Sequence, residues 1–332
     1  MRIDRLKWLL VLLGAWHHGD ANAAGGCTGL SSQMGSDGAR IAQIACRENV
    51  LWHSPFIDVD GRLASMTVAE AETSKLSDGV TPAWKRVADY WRGSGLLWQM
   101  RGFAGASECG YASNDSYASP SCRAFLIDKP WSAAFVSYVL VNAGLPGFVP
   151  SASHIDYVRA AYANPGGSPY FFADPDSLPA ATGDLLCFVR SHSTQLGHAG
   201  LRSFLAANST ALNMHCDIVV DADRATGRLY MVGGNVLQGV TLRTIGINRQ
   251  GLPWNLPRGA GRATACWPAN PQGCSFNRQD WAALLKLKSP AEIAHLPRPA
   301  MPMPSLPTLS PGPARCCIQC VVGSGVPRCP SP

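Results

Sequence analysis

The chain has 332 residues, 46% of them hydrophobic and 15% charged, with a formal net charge of +6. That length supplies one sizeable core or two modest ones. The mild, scattered positive excess suits an anionic surface such as a cell wall and excludes a dedicated nucleic-acid interface.

Arg2, Arg5 and Lys7 precede an apolar run from Trp8 to Trp16, and Ala21-Asn22-Ala23 offers the small-x-small pattern of a signal peptidase site. Residues 1–23 therefore read as a secretory signal cut after Ala23, which places the mature protein in the periplasm or outside the cell. The segment carries three basic and two acidic residues, so the mature charge is +5. Its apolar core is too short for an integral membrane span, and no later stretch is long enough. A lipoprotein anchored through Cys27 is a minor alternative, because Ala24-Gly25-Gly26 lacks the usual Leu three places before the Cys. Twelve cysteines in an exported chain point to disulfides. Cys109 with Cys122 and Cys266 with Cys274 close short loops, and Cys27 with Cys46 is a plausible third pair. Cys187 and Cys216 fall in apolar runs, as buried thiols or as a cross-strand bridge. Cys316, Cys317, Cys320 and Cys329 crowd the tail, where export and the lack of a nearby His favour disulfides over zinc.

In chain order, apolar residues at helical spacing predict a helix over 38–50 and a second from Pro82 through Trp91. Residues 104–123 are rich in Gly, Ser, Asn and Tyr and read as a disulfide-pinned loop. Its Tyr111 and Tyr117 can donate hydrogen bonds into a cleft or simply pack. Lys129-Pro130-Trp131-Ser132 then opens a helix that ends at Ala143-Gly144. Ser132 thus sits in a first turn, where free N–H groups stabilise an anion. A further helix starts near His154 and runs to Tyr162. Strands follow at 183–189, 215–221, 228–236 and 240–245. Helices first and a meander of strands afterwards predict an α+β domain over residues 24–288, with N-terminal helices packed on a small antiparallel sheet. From 289 to 332 recurrent Pro predicts a flexible, Cys-containing tail.

Three residues carry candidate chemistry: Ser132 opening a helix, His215 opening a strand, and Asn235 ending the next strand. Asp217, two positions from His215, shares its face. An imidazole needs an orienting acceptor on one nitrogen so that the other can take the nucleophile's proton, and Asn235 or Asp217 can serve. Cys216 alternates to the opposite face, and Cys187 lies mid-strand. Candidate substrate contacts are His154, Tyr117 and Trp131. His192 and His198 read as surface residues of a loop. No Gly-x-Ser-x-Gly elbow, Walker loop or paired zinc motif is present, and no metal or other cofactor is implied.

The segments Pro130-Trp131-Ser132-Ala133-Ala134-Phe135, Gly183-Asp184-Leu185-Leu186, His215-Cys216-Asp217 and Gly233-Gly234-Asn235 occur in an order that resembles the papain-like cell-wall hydrolases of the NlpC/P60 and CHAP superfamily. More closely, with its Trp-rich early helix and the stretch from Ser151 to Tyr157, residues 38–250 resemble uncharacterised bacterial exported domains related to that superfamily. The resemblance implies a papain-like fold, peptidoglycan as partner, and hydrolysis of its amide bonds by Ser132 with His215 as base. Position 132 holds Ser where the superfamily nucleophile is Cys. A serine must lose its proton during attack, whereas a thiol near a His is partly thiolate already. A catalytically silent wall-binding module, or an acyl-lipid or ester hydrolase or acyltransferase, is compatible with the same residues. The sequence does not specify an inhibitor or immunity protein.

Overall fold

Ser36 caps a long helix near the start of the described residues by accepting the Ala39 N–H on its side chain at 3.1 Å, with Asp37 in the first turn of the helix that follows. The computed structural model describes residues 25–28, 35–70, 72–111, 118–190, 194–207, 209–253, 255–259, 271–299, 319–320 and 327–328. The signal segment, Tyr117, His192, Cys266 and most of the Pro-rich tail lie outside the described residues.

The first element is a single turn, α1 (Gly25–Thr28), tied to the next helix, α2 (Asp37–Leu51), by the expected Cys27–Cys46 disulfide. Two short strands follow, β1 (Phe56–Ile57) and β2 (Leu63–Ser65), then α3 (Ala83–Gly93), which opens directly after Pro82. Part of the segment expected as loop is helical: α4 spans Ala118–Asp128, and the Cys109–Cys122 disulfide joins it to a 3-10 turn at Glu108–Gly110. Next come α5 (Ser132–Asn142), α6 (His154–Ala163), β3 (Tyr170–Ala173) and β4 (Leu185–Val189). The remainder comprises α7 (Gly197–Ala207), β5 (Met214–Asp223), β6 (Arg228–Val236), β7 (Gly239–Gly246), β8 (Asp280–Leu287) and a turn, α8 (Pro290–Ile293). No single helix among the described residues is long and apolar enough to cross a membrane.

The architecture is α+β, and the sheet is larger than expected. Eight strands run in the order β2-β1-β7-β6-β5-β4-β8-β3, antiparallel throughout except for the parallel pair β1 and β7. Four of these strands, β1, β2, β3 and β8, were not foreseen, and β8 is the longest of them. Its run Trp281-Ala282-Ala283-Leu284-Leu285 is rich in helix formers, but insertion between β4 and β3 gives it ladder partners on both sides. β8 also accounts for α7, which replaces the surface loop expected around His198. The Asp280 carboxylate accepts the N–H groups of Leu196 (2.8 Å) and Gly197 (2.9 Å), a helix cap supplied from a distant part of the chain. His198 is accordingly held, with Nδ1 3.0 Å from the Ala282 carbonyl and its ring stacked on Phe172. The chain stays packed past residue 289, where Ile293 is buried and the Pro297 carbonyl accepts the Gly147 N–H.

Helices pack on one face of the sheet around a large apolar core, and a smaller cluster including Phe188, Met231 and Trp281 lies on the other. Along β5, Cys216, Ile218 and Val220 belong to the helical core, and Val219 belongs to the smaller cluster, as strand alternation requires. Cys187 and Cys216 stand opposite each other in register and are joined, which settles the choice left open by the sequence in favour of the bridge. With Cys27–Cys46 and Cys109–Cys122, this is the bonding of an oxidising compartment.

A buried charge fastens the helices to one another. Glu48 of α2 accepts from Arg86 Nε and from the Tyr90 hydroxyl, both at 2.8 Å, and Tyr90 in turn accepts the Trp52 indole N–H at 2.8 Å. Arg86 also donates to the Tyr138 hydroxyl of α5 at 2.9 Å. Replacing Glu48 by Ala leaves a mostly buried guanidinium without its buried anion, the partly exposed Asp89 carboxylate at 3.6 Å being the counter-charge that remains. Urea unfolding of Glu48→Ala is expected to show a loss of about 3 kcal/mol.

Candidate active site

Trp131 fixes where α5 begins. Its indole is fully buried, stacked against Trp52 and Tyr90 with ring centroids 5.8 and 5.5 Å away, and its Nε1–H donates to Glu70 at 2.5 Å. Ser132 follows immediately as the first residue of the helix, which has no side-chain cap. The amide of Asn235 completes the junction: its nitrogen donates to Glu70 at 3.0 Å and its oxygen accepts the Trp131 backbone N–H at 3.2 Å. Burial raises the Glu70 carboxyl above its ordinary pKa, and the indole hydrogen bond opposes that rise. Trp131 is therefore a core residue here rather than a wall of a cleft.

The Ser132 hydroxyl lies 2.8 Å from His154 Nε2, and His154 Nδ1 lies 2.8 Å from the Tyr157 hydroxyl. His154 opens α6 one turn before Tyr157, so the i, i+3 spacing of a helix brings phenol and imidazole together. Expected as a substrate contact, His154 is instead the imidazole bonded directly to the serine. Burial holds the Tyr157 phenol well above its usual pKa, so it keeps its proton. Among the described residues its hydrogen-bond partner is His154, and a buried hydroxyl donor is costly to leave unpaired. The favoured arrangement has Tyr157 O–H donating to Nδ1 and His154 Nε2–H donating to Ser132 Oγ.

His215 stands beside this pair, its ring centroid 5.1 Å from that of His154. Its Nε2 donates to Asp217 Oδ1 at 2.8 Å, and Asp217 Oδ2 accepts from Arg243 Nε at 2.9 Å. Burial alone would raise the Asp217 carboxyl, but Arg243 and His215 outweigh it and bring its pKa down to about 2. Asp217 is thus an acceptor only, which places the His215 proton on Nε2 and leaves Nδ1 as a buried nitrogen with no partner among the described residues. Of the two orienting residues proposed from sequence, Asp217 holds His215, while Asn235 holds the Trp131 backbone. No direct hydrogen bond joins Ser132 to His215 among the described residues.

Arg243 is itself anchored by the Asn277 side chain at 3.0 Å and by the Phe276 carbonyl. The sequence did not advertise Arg243, Asn277 or Glu70, since each acts through contacts to residues far away in the chain, whereas Tyr157 reaches His154 within one helical turn. The two glycines before Asn235 are dictated by space. A Cβ at Gly233 would fall 2.0 Å from Asp217 Oδ1, and one at Gly234 would fall 2.4 Å from Phe135 Cβ.

A family model described as "uncharacterized protein conserved in bacteria" (DUF2272) matches residues 78–287, more than half of the chain. The chain belongs to DUF2272. The groups described around Ser132 lie within the DUF2272 segment except Trp52 and Glu70, which precede it. Neither a curated protein nor a solved structure gives a match.

Gly233→Ala is expected to displace Asp217 from His215, removing the Nε2–H···Asp217 signal in nitrogen-15 spectra of the imidazole and costing about 1–3 kcal/mol in urea unfolding. Burial lowers the pKa of both histidines from the ordinary 6.5; the neighbouring His215 ring and Arg190 add to this at His154, and at His215 Asp217 opposes it while Arg190 and Arg243 add to it. Unfolded histidines take up protons that the native ones refuse, so their contribution to stability falls as pH drops below 6.5. Unfolding midpoints between pH 7 and 5 should therefore fall more steeply for wild type than for a His154→Gln, His215→Gln double variant.

Proposed function

We propose that this protein is an exported hydrolase that cleaves amide bonds in peptidoglycan by acyl transfer to Ser132. The observation that carries this reading is the 2.8 Å contact of Ser132 Oγ with His154 at the start of α5. Beside it stands an Asp-oriented imidazole whose second nitrogen has no partner among the described residues. A hydroxyl, a positioned base and backbone N–H groups that can receive an oxyanion are the parts that acyl transfer needs. The order of these parts along the chain supports kinship with the NlpC/P60 and CHAP hydrolases, with serine replacing cysteine. The disulfides and mild positive charge support action at a wall outside the cytosol.

In this reading His215 is the base. Its Nδ1 takes the Ser132 proton as Oγ bonds to the acyl carbon. The resulting imidazolium, stabilised by Asp217, gives that proton to the leaving nitrogen as the C–N bond breaks. Water then attacks the acyl-serine ester, passes a proton through His215 back to Oγ, and releases the carboxylic acid. His154 holds the serine by donating to it, and the helix start supplies the oxyanion donors.

The exposure of Ser132, His154 and His215 is 5, 3 and 2%, respectively, and that depth favours a second reading: a catalytically silent wall-binding module that kept the site as a structural core.

The test incubates the oxidised, signal-free protein with purified peptidoglycan and reads soluble fragments by mass spectrometry. Wild type is expected to release fragments, whereas Ser132→Ala and His215→Gln release none, with folding checked by circular dichroism. His154→Gln can still donate to Ser132 but cannot act as an imidazole base, and is expected to lose less than about tenfold in rate, the size of one neutral hydrogen bond. Loss in His154→Gln with retention in His215→Gln would transfer the base to His154. Pull-down by insoluble peptidoglycan without fragments, unchanged in Ser132→Ala, would establish the silent module instead.

A further inference from the structure

A cavity of about 210 Å³ opens beside the site, lined among others by Phe188, Arg190, His215, Asn235 and Arg243. At roughly 30 Å³ per water it holds about seven waters, room for one small amino-acid residue but not for a disaccharide. Its charge is one-sided among the described residues, none of whose Asp or Glu side chains belongs to the lining. The Arg243 charge is matched by Asp217. Asp280, which pairs with Val189 next to Arg190, spends both its oxygens on the start of α7. Arg190 is exposed and enters no ion pair among the described residues, yet its charge reaches both histidines. Besides Asn235, Arg243 and Gln279, the wall carries His215, nine-tenths buried or more, whose Nδ1 has no partner among the described residues.

Resting on the acyl-transfer reading above, we propose that this cavity is the leaving-group subsite and that it selects a single terminal residue carrying a free carboxylate, gripped by Arg190. The direction follows from the chemistry of the imidazole. The group that lines the cavity, His215, is the one that must hand a proton to the departing nitrogen, so the departing amine belongs on the cavity side. A guanidinium is the side chain best shaped to take a carboxylate with two parallel hydrogen bonds. The enzyme would then trim a terminal residue from a peptide: the C–N bond to that residue breaks, its nitrogen takes the proton from His215, and the free amino acid leaves while its acyl partner stays on Ser132. Phe188, tilted against the His215 ring at 5.1 Å, offers the apolar wall for a small side chain.

Equilibrium binding to the full oxidised chain carrying Ser132→Ala tests this without requiring turnover. The probes are N-acetyl-dialanine of D and of L configuration, each with a free terminal carboxylate and as the terminal amide. For at least one configuration the acid is expected to bind about tenfold more tightly than its amide, the scale of one charge-assisted contact. Adding Arg190→Gln should remove that preference, and Arg190→Lys should restore part of it. Equal affinity for acid and amide, a preference that survives Arg190→Gln, or no binding of any probe would overturn the inference. The peptidoglycan assay on wild type fails or succeeds separately. Hydrolysis without a carboxylate preference sinks the subsite and leaves the hydrolase, whereas an Arg190-dependent preference without hydrolysis does the reverse.

Discussion

The placement of the serine depends on the burial of one side chain, the indole of Trp131. Two aromatic rings stack on it, a buried carboxylate takes its N–H, and an asparagine from β6 takes the backbone N–H of the same residue. Four contacts from four parts of the chain leave the start of α5 no freedom to slide. Ser132 inherits that position because it is the next residue. A large apolar ring with one polar handle is suited to such a role, since burial supplies the energy and the N–H supplies the direction. The Glu48 network extends the same logic outward by clamping Tyr90, one of the stacking rings, between α2 and α5.

On the sheet side the equivalent constraint is electrostatic. Asp217 lies at zero exposure and is tolerated as an anion because Arg243 and His215 both spend hydrogen bonds on it. Burying an unpaired carboxylate would be prohibitive, and it would protonate instead. The pairing therefore fixes three things at once: the charge of Asp217, the tautomer of His215, and the need for glycine at 233. Each reads as a local choice in the sequence, and each is one consequence of a single buried ion pair.

Much of this was legible beforehand. Alternation and turn residues place β4 through β7, Pro82 and Pro130 mark two helix starts, and Ser132, His215, Asp217 and Asn235 do gather around one helix end. The distribution of roles among them was not legible. Strand spacing puts Asp217 and Asn235 equally within reach of His215, and only the positions of Arg243 and Glu70, remote in sequence, separate them. His154 bonds to Ser132 through a crossing of α5 and α6 that no periodicity encodes. β8 and α7 were missed for a related reason: Ala- and Leu-rich composition favours helix in the first, glycines at 197 and 200 argue against helix in the second, and in both a long-range partner overrules the local preference.

The parallel pairing of β1 with β7 also determines the order of assembly. Phe56 pairs locally with Ser65 of β2, but its partner on the other side is Leu242, so the β1–β2 pair must wait for most of the chain before it can join the ladder. The antiparallel neighbours β5, β6 and β7 are joined by short turns and form by local contacts, whereas β1 and β8 are added across long loops whose closure entropy must first be met. The apolar faces of α2, α3 and α5 remain uncovered through that interval, which is the period in which such a chain is most exposed to self-association. The site, which draws on α5, α6, β5, β6 and β7 together, is correspondingly a late product of folding.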